Sequence, residues 1–373
     1  MGRRIMIARP IALYNYVVPV TALLIGVFFR LTNFTASSLP FGSGVLLSLA
    51  MLAVLFTTVF VVLHHAEILA AKLGQPYGTL LLTLSVTTVE VAIIVSLMLN
   101  GENNPTLARE SVFSTIMIVC AGVVGLCLAL GGLNHHQQDL KRQGTNAFLS
   151  VLMALAVLTL ILPNFTLSNI PGSFSSGSLL FISLCSVLLY AGFLFTQTIR
   201  HRDDFLADVL PPMHAHALLS SRASMSHAFL LIIGLLGIVL LAEEVAVGVE
   251  DGLAHFHMEQ TDAIIGAFIA TLVLLPEAVS AIQAAVKNEL QRSLNIALGS
   301  ALATIGLTIP GVAVASILTG RNLTLGLSSG DTVLLVLILA VSMLSFGTGR
   351  TNLLNGLVHL VVFVAFLLLI ALP

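Results

Sequence analysis

The sequence predicts an all-α polytopic membrane protein of eleven transmembrane helices: one N-terminal helix followed by two inverted five-helix repeats. Three observations carry that expectation. The composition is 57% hydrophobic and only 9% charged. Apolar runs long enough to cross a bilayer recur along the chain. The positive charges sort to one side of those runs. Soluble domains carry about a quarter charged residues, and a soluble fold of this length has nowhere to bury so much apolar surface. The lipid bilayer is therefore the expected partner. A net charge of −2 gives no basic patch of the density nucleic acid needs, so no nucleic-acid partner is expected. Cys120, Cys127 and Cys185 all lie in apolar runs and suggest neither a disulfide framework nor a thiolate metal site.

A spanning helix needs about 20 mostly apolar residues. Eleven stretches qualify, at about 11–30, 42–63, 76–99, 111–133, 147–163, 178–199, 227–249, 262–286, 293–319, 331–348 and 353–372. Turn residues separate them, as at Gly74-Gln75-Pro76, Asn103-Asn104-Pro105 and Ser328-Ser329-Gly330. The basic start Met1-Gly2-Arg3-Arg4 is read as part of a retained first helix, since no small-x-small cleavage site follows it cleanly. With the N-terminus inside, only Arg30, Arg109 and Arg321 of the 15 Lys and Arg residues lie outside, and the C-terminus is outside. The expected divisions are 1–35 (N-terminal helix), 36–199 (first repeat), 200–226 (cytoplasmic linker) and 227–373 (second repeat). An odd number of helices per half forces opposite orientations, the geometry of an inverted repeat.

Internal similarity supports the division. Helix three ends Leu82-Thr83-Leu84-Ser85-Val86-Thr87-Thr88-Val89-Glu90, and helix eight carries Ile269-Ala270-Thr271-Leu272-Val273-Leu274-Leu275-Pro276-Glu277. Each is second in its half. The helices that follow open on related runs, Arg109-Glu110-Ser111-Val112 and Gln291-Arg292-Ser293-Leu294.

Glu90 and Glu277 place carboxylates near the middle of apolar helices, where an ionised acid costs about 2.5–3.5 kcal/mol on the insertion scale. A neutral structural carboxyl is the plain alternative. Two such acids at matching positions of two inverted halves favour a functional pair. Thr79, Thr83, Thr87 and Glu90 share one stripe of helix three. On helix eight, Gly266, Ala270, Glu277, Ala281, Ala284 and Asn288 share another, whose small residues admit a neighbouring backbone. Pro276 frees a carbonyl one turn earlier. Helix four offers Ser111, Ser114 and Thr115, then Gly122 and Gly125; helix nine offers Ser293, Ala297, Ser300, Thr304 and Thr308, of which Ser300 and Thr304 are retained as ligand candidates. An oxygen-only set suits Ca²⁺, Mg²⁺ or Mn²⁺ over Zn²⁺ or Cu²⁺. Two negative charges balance one divalent cation. Once it leaves, two desolvated carboxylates cannot both stay ionised, so the empty site takes protons. Glu90 and Glu277 are thus the expected metal ligands and proton acceptors. Glu67 after helix two and Glu243 and Glu244 late in helix seven suit either the mouth of an ion path or a wet interface.

These residues resemble a known family. The run from Gly78 to Glu90, and the run from Leu275-Pro276-Glu277-Ala278 through Ser293-Leu294-Asn295-Ile296-Ala297-Leu298-Gly299-Ser300 to Gly306, are similar to the two alpha repeats of the calcium/cation antiporter superfamily. Within it the resemblance is to the bacterial calcium/proton (sodium/proton) antiporters of the cation-exchanger branch. It implies an eleven-helix fold, alternating access and no chemical cofactor, with Ca²⁺ or a related cation and H⁺ as the transported species. It also implies that Glu90 and Glu277 are the repeat glutamates, with Glu67 and one of Glu243 or Glu244 as pathway acids. The family's Gly-Asn-x-x-Glu element reads Val86-Thr87-Thr88-Val89-Glu90 and Val273-Leu274-Leu275-Pro276-Glu277 here, without the asparagines.

Three rivals are weaker. Gly326-Leu327-Ser328-Ser329-Gly330 fits a nucleophile-elbow pattern but lacks its strand–turn–helix context, so an enzyme is not expected. A channel builds a continuous pore rather than an inverted pair of halves. A Na⁺/H⁺ or K⁺/H⁺ exchanger on the same scaffold is the close alternative. His64-His65 and His135-His136 are read as ordinary polar residues at helix ends. The linker's Asp203, Asp204, Asp208, His201, His214, His216 and His227 are read as a solvated segment.

Overall fold

A computed structural model describes residues 13–32, 34, 38–73, 77–100, 104–168, 170–205, 221–255 and 261–371. Arg3, Arg4, Arg9, the Gly74-Gln75-Pro76 turn, Asn103, and the linker residues Asp208, His214 and His216 lie outside them. The described chain is almost wholly helical. The helices are α1 Leu13–Thr32, α2 Phe41–Leu73, α3 Tyr77–Asn100, α4 Leu107–His135, α5 Arg142–Phe165, α6 Ser176–Arg200, α7 Ser221–His255, α8 Thr261–Val286, α9 Leu290–Thr319, α10 Ser329–Phe346 and α11 Leu353–Ala371. Ten helices among the described residues are long and apolar enough to span a bilayer, and α3 carries a shorter apolar stretch, Thr83–Met98. The expected count therefore holds. Only a helix satisfies its own backbone along such a path through lipid.

Several helices outrun their apolar cores. α2 continues to Leu73, ten residues past its expected end, because all of Ala66-Glu67-Ile68-Leu69-Ala70-Ala71-Lys72 but Ile68 are strong helix formers. Glu67 consequently lies inside α2, not after it, and is exposed. His65 is no helix-end residue either: it is 0% exposed.

The chain divides into two compact units. The first holds α1, α2, α3 up to Val89, and α7 up to Gly252. Ala22, Leu55, Val62, Ile238 and Leu241 are buried in it. The second holds the rest, from Glu90 to Leu210 and from Leu253 onward. Its core includes Val112, Ile116, Leu152, Leu298, Leu302 and Ile338. There α4 and α9 are the most enclosed spans. Gly266 of α8 lets α4 come close: a Cβ at Gly266 would lie 2.8 Å from the Ser111 nitrogen. The small-residue stripe read on helix eight thus seats a neighbouring backbone there.

Loops in the second unit sort to two ends. At one end, Gln137–Asp139 after α4 forms a two-stranded antiparallel ladder with Arg350–Asn352 before α11, and Gln138 donates to the Ala285 carbonyl at the end of α8 at 3.0 Å. At the other end, the Thr324 amide donates to the Pro105 carbonyl and the Leu325 amide to the Gly172 carbonyl. α4 and α9 therefore run in opposite directions. So do α8 and the last turns of α3, whose Met98 carbonyl accepts from Arg321.

Candidate cation-binding site

Glu90 sits at 2% exposure on α3. It is positioned by α9, which brings Gly311 against Val91, where an added Cβ would stand 3.0 Å from Cγ1. α9 is interrupted there by a π-helical segment, Thr304–Thr308. Such single-turn bulges offset the hydrogen-bond ladder and often mark functional sites. Its first and last residues both face Glu90. Thr304 Oγ1 donates to Glu90 Oε2 at 2.8 Å, and Thr308 Oγ1 donates to the same oxygen at 3.2 Å. Both threonines are buried.

The behaviour of other threonines shows that this is a local commitment. A mid-helix hydroxyl usually bonds the carbonyl four residues back. Thr87 does so to Thr83 at 2.9 Å, Thr88 to Leu84 and Thr159 to Leu155. Thr304 and Thr308 spend their protons on a carboxylate instead. The other carboxylate oxygen, Glu90 Oε1, is buried with no hydrogen-bond partner among the described residues. An unpaired buried carboxylate oxygen costs free energy unless a proton or a cation meets it. With two threonine oxygens beside it, the group offers hard-ligand chemistry suited to a hard cation.

The remaining expected residues are distributed as follows. Glu277 is half-buried on α8, next to Pro276, in the same unit as Glu90. Ser300 is half-buried on α9, one turn before Thr304, and makes no hydrogen bond to Glu90. Thr87 is buried with its hydroxyl turned to its own helix. In the first unit, Glu243 forms an ion pair with Arg30 of α1 at 2.8 Å, and Glu244 beside it is half-buried. Ser328 of the Gly-x-Ser-x-Gly run serves as N-cap of α10, accepting from the Asp331 amide at 3.1 Å.

Two features were not singled out from the sequence. Thr308 lay on the hydroxyl stripe of helix nine but was not retained; its spacing of four from Thr304 was the available signal. Glu110 is 7% exposed and takes a 2.9 Å bond from Arg109 Nε, while Arg109 Nη1 reaches the Gly326 carbonyl at 2.9 Å. Nearby, Thr106 donates to Asp262 at 2.6 Å. An acid in the first turn of a helix attracts little notice in sequence, because charge there is ordinary.

This architecture can be set beside known proteins. The family model described as sodium/calcium exchanger protein matches residues 42–199 and 226–372, both halves of the chain. The chain belongs to the sodium/calcium exchanger family. Members are secondary transporters, so the protein moves cations across a membrane and is not an enzyme. Relatives within bacteria include a Sinorhizobium fredii protein named as an ionic transporter, y4hA, 46% identical over 91% of this chain and 92% of its own. The sodium-potassium/proton antiporter ChaA of Escherichia coli is 38% identical over 86% of this chain and 87% of its own. The solved H⁺/Ca²⁺ exchanger CAX shares the fold, with a TM-score of 0.70 at 15% identity, covering 95% of this chain and 88% of that one.

Proposed function

We propose that this chain is a secondary antiporter that exchanges Ca²⁺ for H⁺ across a bacterial inner membrane, with Glu90 and Glu277 as a shared cation and proton site. The observation that carries this is the Glu90 carboxylate: buried, held on one oxygen by Thr304 and Thr308, with its other oxygen unpartnered among the described residues. Glu277 supplies the second charge and Ser300 a further oxygen. With the cation bound, two carboxylates neutralise it. When it leaves, desolvation drives protons onto them. If the empty, charged site cannot reorient, the two cargoes must exchange. Glu67, Glu243 and Glu244 guide ions towards the site. The positive charges put the N-terminus in the cytoplasm and the C-terminus outside.

A second reading has a specific observation behind it: the relative named a sodium-potassium/proton antiporter aligns over most of the chain. Na⁺/H⁺ or K⁺/H⁺ exchange on the same site is that reading. Everted vesicles energised to an acid interior separate the two, with Ca²⁺, Na⁺ and K⁺ added in turn and proton efflux followed by fluorescence dequenching. Ca²⁺-driven efflux lost in both Glu90→Gln and Glu277→Gln is the expected result. Full efflux in either variant overturns the shared site. Efflux with Na⁺ or K⁺ alone replaces the ion.

A further inference from the structure

Away from the glutamates, two histidines far apart in sequence meet inside the first unit. His65 of α2 and His227 of α7 are 0% and 1% exposed. Their Nδ1 atoms are 2.8 Å apart. His65 Nε2 lies 3.1 Å from the main-chain carbonyl of Asn15 on α1.

The partners fix the hydrogens. A carbonyl only accepts, so His65 Nε2 carries a hydrogen. Neutral His65 then has a bare Nδ1, and His227 Nδ1–H must donate to it. The chain of bonds reads His227 Nδ1–H to His65 Nδ1, then His65 Nε2–H to Asn15. It leaves the His227 Nε2 lone pair as the one place for an added proton. A proton there makes His227 an imidazolium without disturbing either bond. The bond to His65 becomes charge-assisted, but the new cation is buried with no acid facing it among the described residues, and burial disfavours the charged form. A second proton would set two N–H groups against each other across 2.8 Å, so the pair holds one.

Among the described residues little surrounds the pair to mask this. On α2 the titratable neighbour is His64, its ring centroid 6.2 Å from that of His65; Glu67 and Lys72 lie further along, Glu67 exposed and Lys72 bonded to Ser224 of α7. α1 contributes Tyr14 and Asn15, which with His64 and Thr57 line a cleft of about 350 Å³. α7 contributes His227 itself and Ser224, with Arg222 in its first turn; its acids Glu243 and Glu244 are more than four turns away.

We propose that His65 and His227 form a single-proton site, distinct from the glutamates, that clasps α2 to α7 and α1 while neutral, loosens when protonated and so speeds exchange at acid pH. α2 and α7 come from opposite halves of the sequence, and alternating access requires inverted halves to move against each other. A proton that binds the clasped state less well shifts the population away from it. Histidine is the side chain whose ordinary titration falls in the physiological range. The inference rests on the antiporter reading for its rate effect but not for its proton chemistry.

The test has two arms. In proteoliposomes under a fixed pH gradient, the ratio of native to His227→Gln exchange rates is measured as both sides are moved from acid to alkaline. Glutamine still donates to His65 but cannot hold the proton. The ratio should fall with pH as a one-proton step, by about tenfold between about pH 5 and 8, while His64→Gln tracks the native protein. A flat ratio overturns the rate effect. Separately, ¹⁵N imidazole spectra of histidine-labelled native protein at alkaline pH should contain a His227 Nδ1–H tautomer, identified by its loss in His227→Gln. Finding His227 as Nε2–H overturns the clasp itself, and this arm stands even if the variant exchanges nothing. If the native protein exchanges no cation, the proposed function fails while the spectra still decide the pair.

Discussion

α4 and α9 occupy matching places in the two halves, run in opposite directions, and both break into a π-helical turn near mid-span, at Ile118–Val123 and Thr304–Thr308. They use that turn differently. α9 fills it with two threonines that donate to Glu90. α4 fills it with Ile, Val, Cys, Ala and Gly. Its Cys120 carbonyl accepts from His359 Nδ1 of α11 at 2.6 Å, and His359 Nε2 lies 3.2 Å from Ser345 Oγ of α10. Gly122 is capped by the Phe363 ring. Matching backbones have thus been given different chemistry: one turn faces the carboxylate, the other is closed by packing. The hydroxyls of α4 (Ser111, Ser114 and Thr115) are buried ahead of its turn and lack hydrogen-bond partners among the described residues.

The largest expected effect falls on α9. Thr304→Val with Thr308→Val removes both donors from Glu90. A hydrogen bond to a charged group is worth about 1.5–3 kcal/mol, so KM for the cation should rise by at least about tenfold in vesicle exchange. Ser114→Ala with Thr115→Val on α4 should change it by less than about threefold, as neither hydroxyl has a partner to lose among the described residues. Equal damage from the two pairs would break the comparison.

A smaller effect, on stability, belongs to α4. His359→Leu removes a buried hydrogen bond to the Cys120 carbonyl, at a cost of about 0.5–1.5 kcal/mol. The unfolding temperature in detergent should fall with KM unchanged; a raised KM would put the α4 turn in the cation path. Gly356→Ala should also destabilise, by about 1–3 kcal/mol from overpacking, because its Cβ would collide with the Ala129 backbone of α4. Gly299→Ala is the smallest case. Among the described residues its Cβ would meet Phe148 alone, at 3.8 Å, and alanine is the better helix former, so stability should not fall.

Much of this was legible in sequence because the bilayer imposes a length and a polarity on every span. Helix number, the opposed halves and the glutamate-bearing helices follow from apolar runs and repeated motifs. Helix ends were less legible: the apolar-run criterion stopped helix two at the polar pair His64-His65, whereas helix propensity carries α2 to Leu73. The interior fate of His65 depends on His227, 162 residues away, and no local periodicity encodes such a partner. For the same reason Thr308 reads from sequence only as part of a polar stripe, and Thr304 as a ligand candidate without a named partner, because Glu90 lies more than 200 residues earlier. The π-turns carry no composition of their own, as the contrast between α4 and α9 shows.

The central claim is that one site holds either a cation or protons. Calorimetric titration of purified protein with Ca²⁺, repeated in buffers of different ionisation enthalpy, measures protons released as the cation binds. The account predicts release in the native protein, with Ca²⁺ binding abolished in Glu90→Gln. Binding that releases no proton, or that survives Glu90→Gln unchanged, would contradict it.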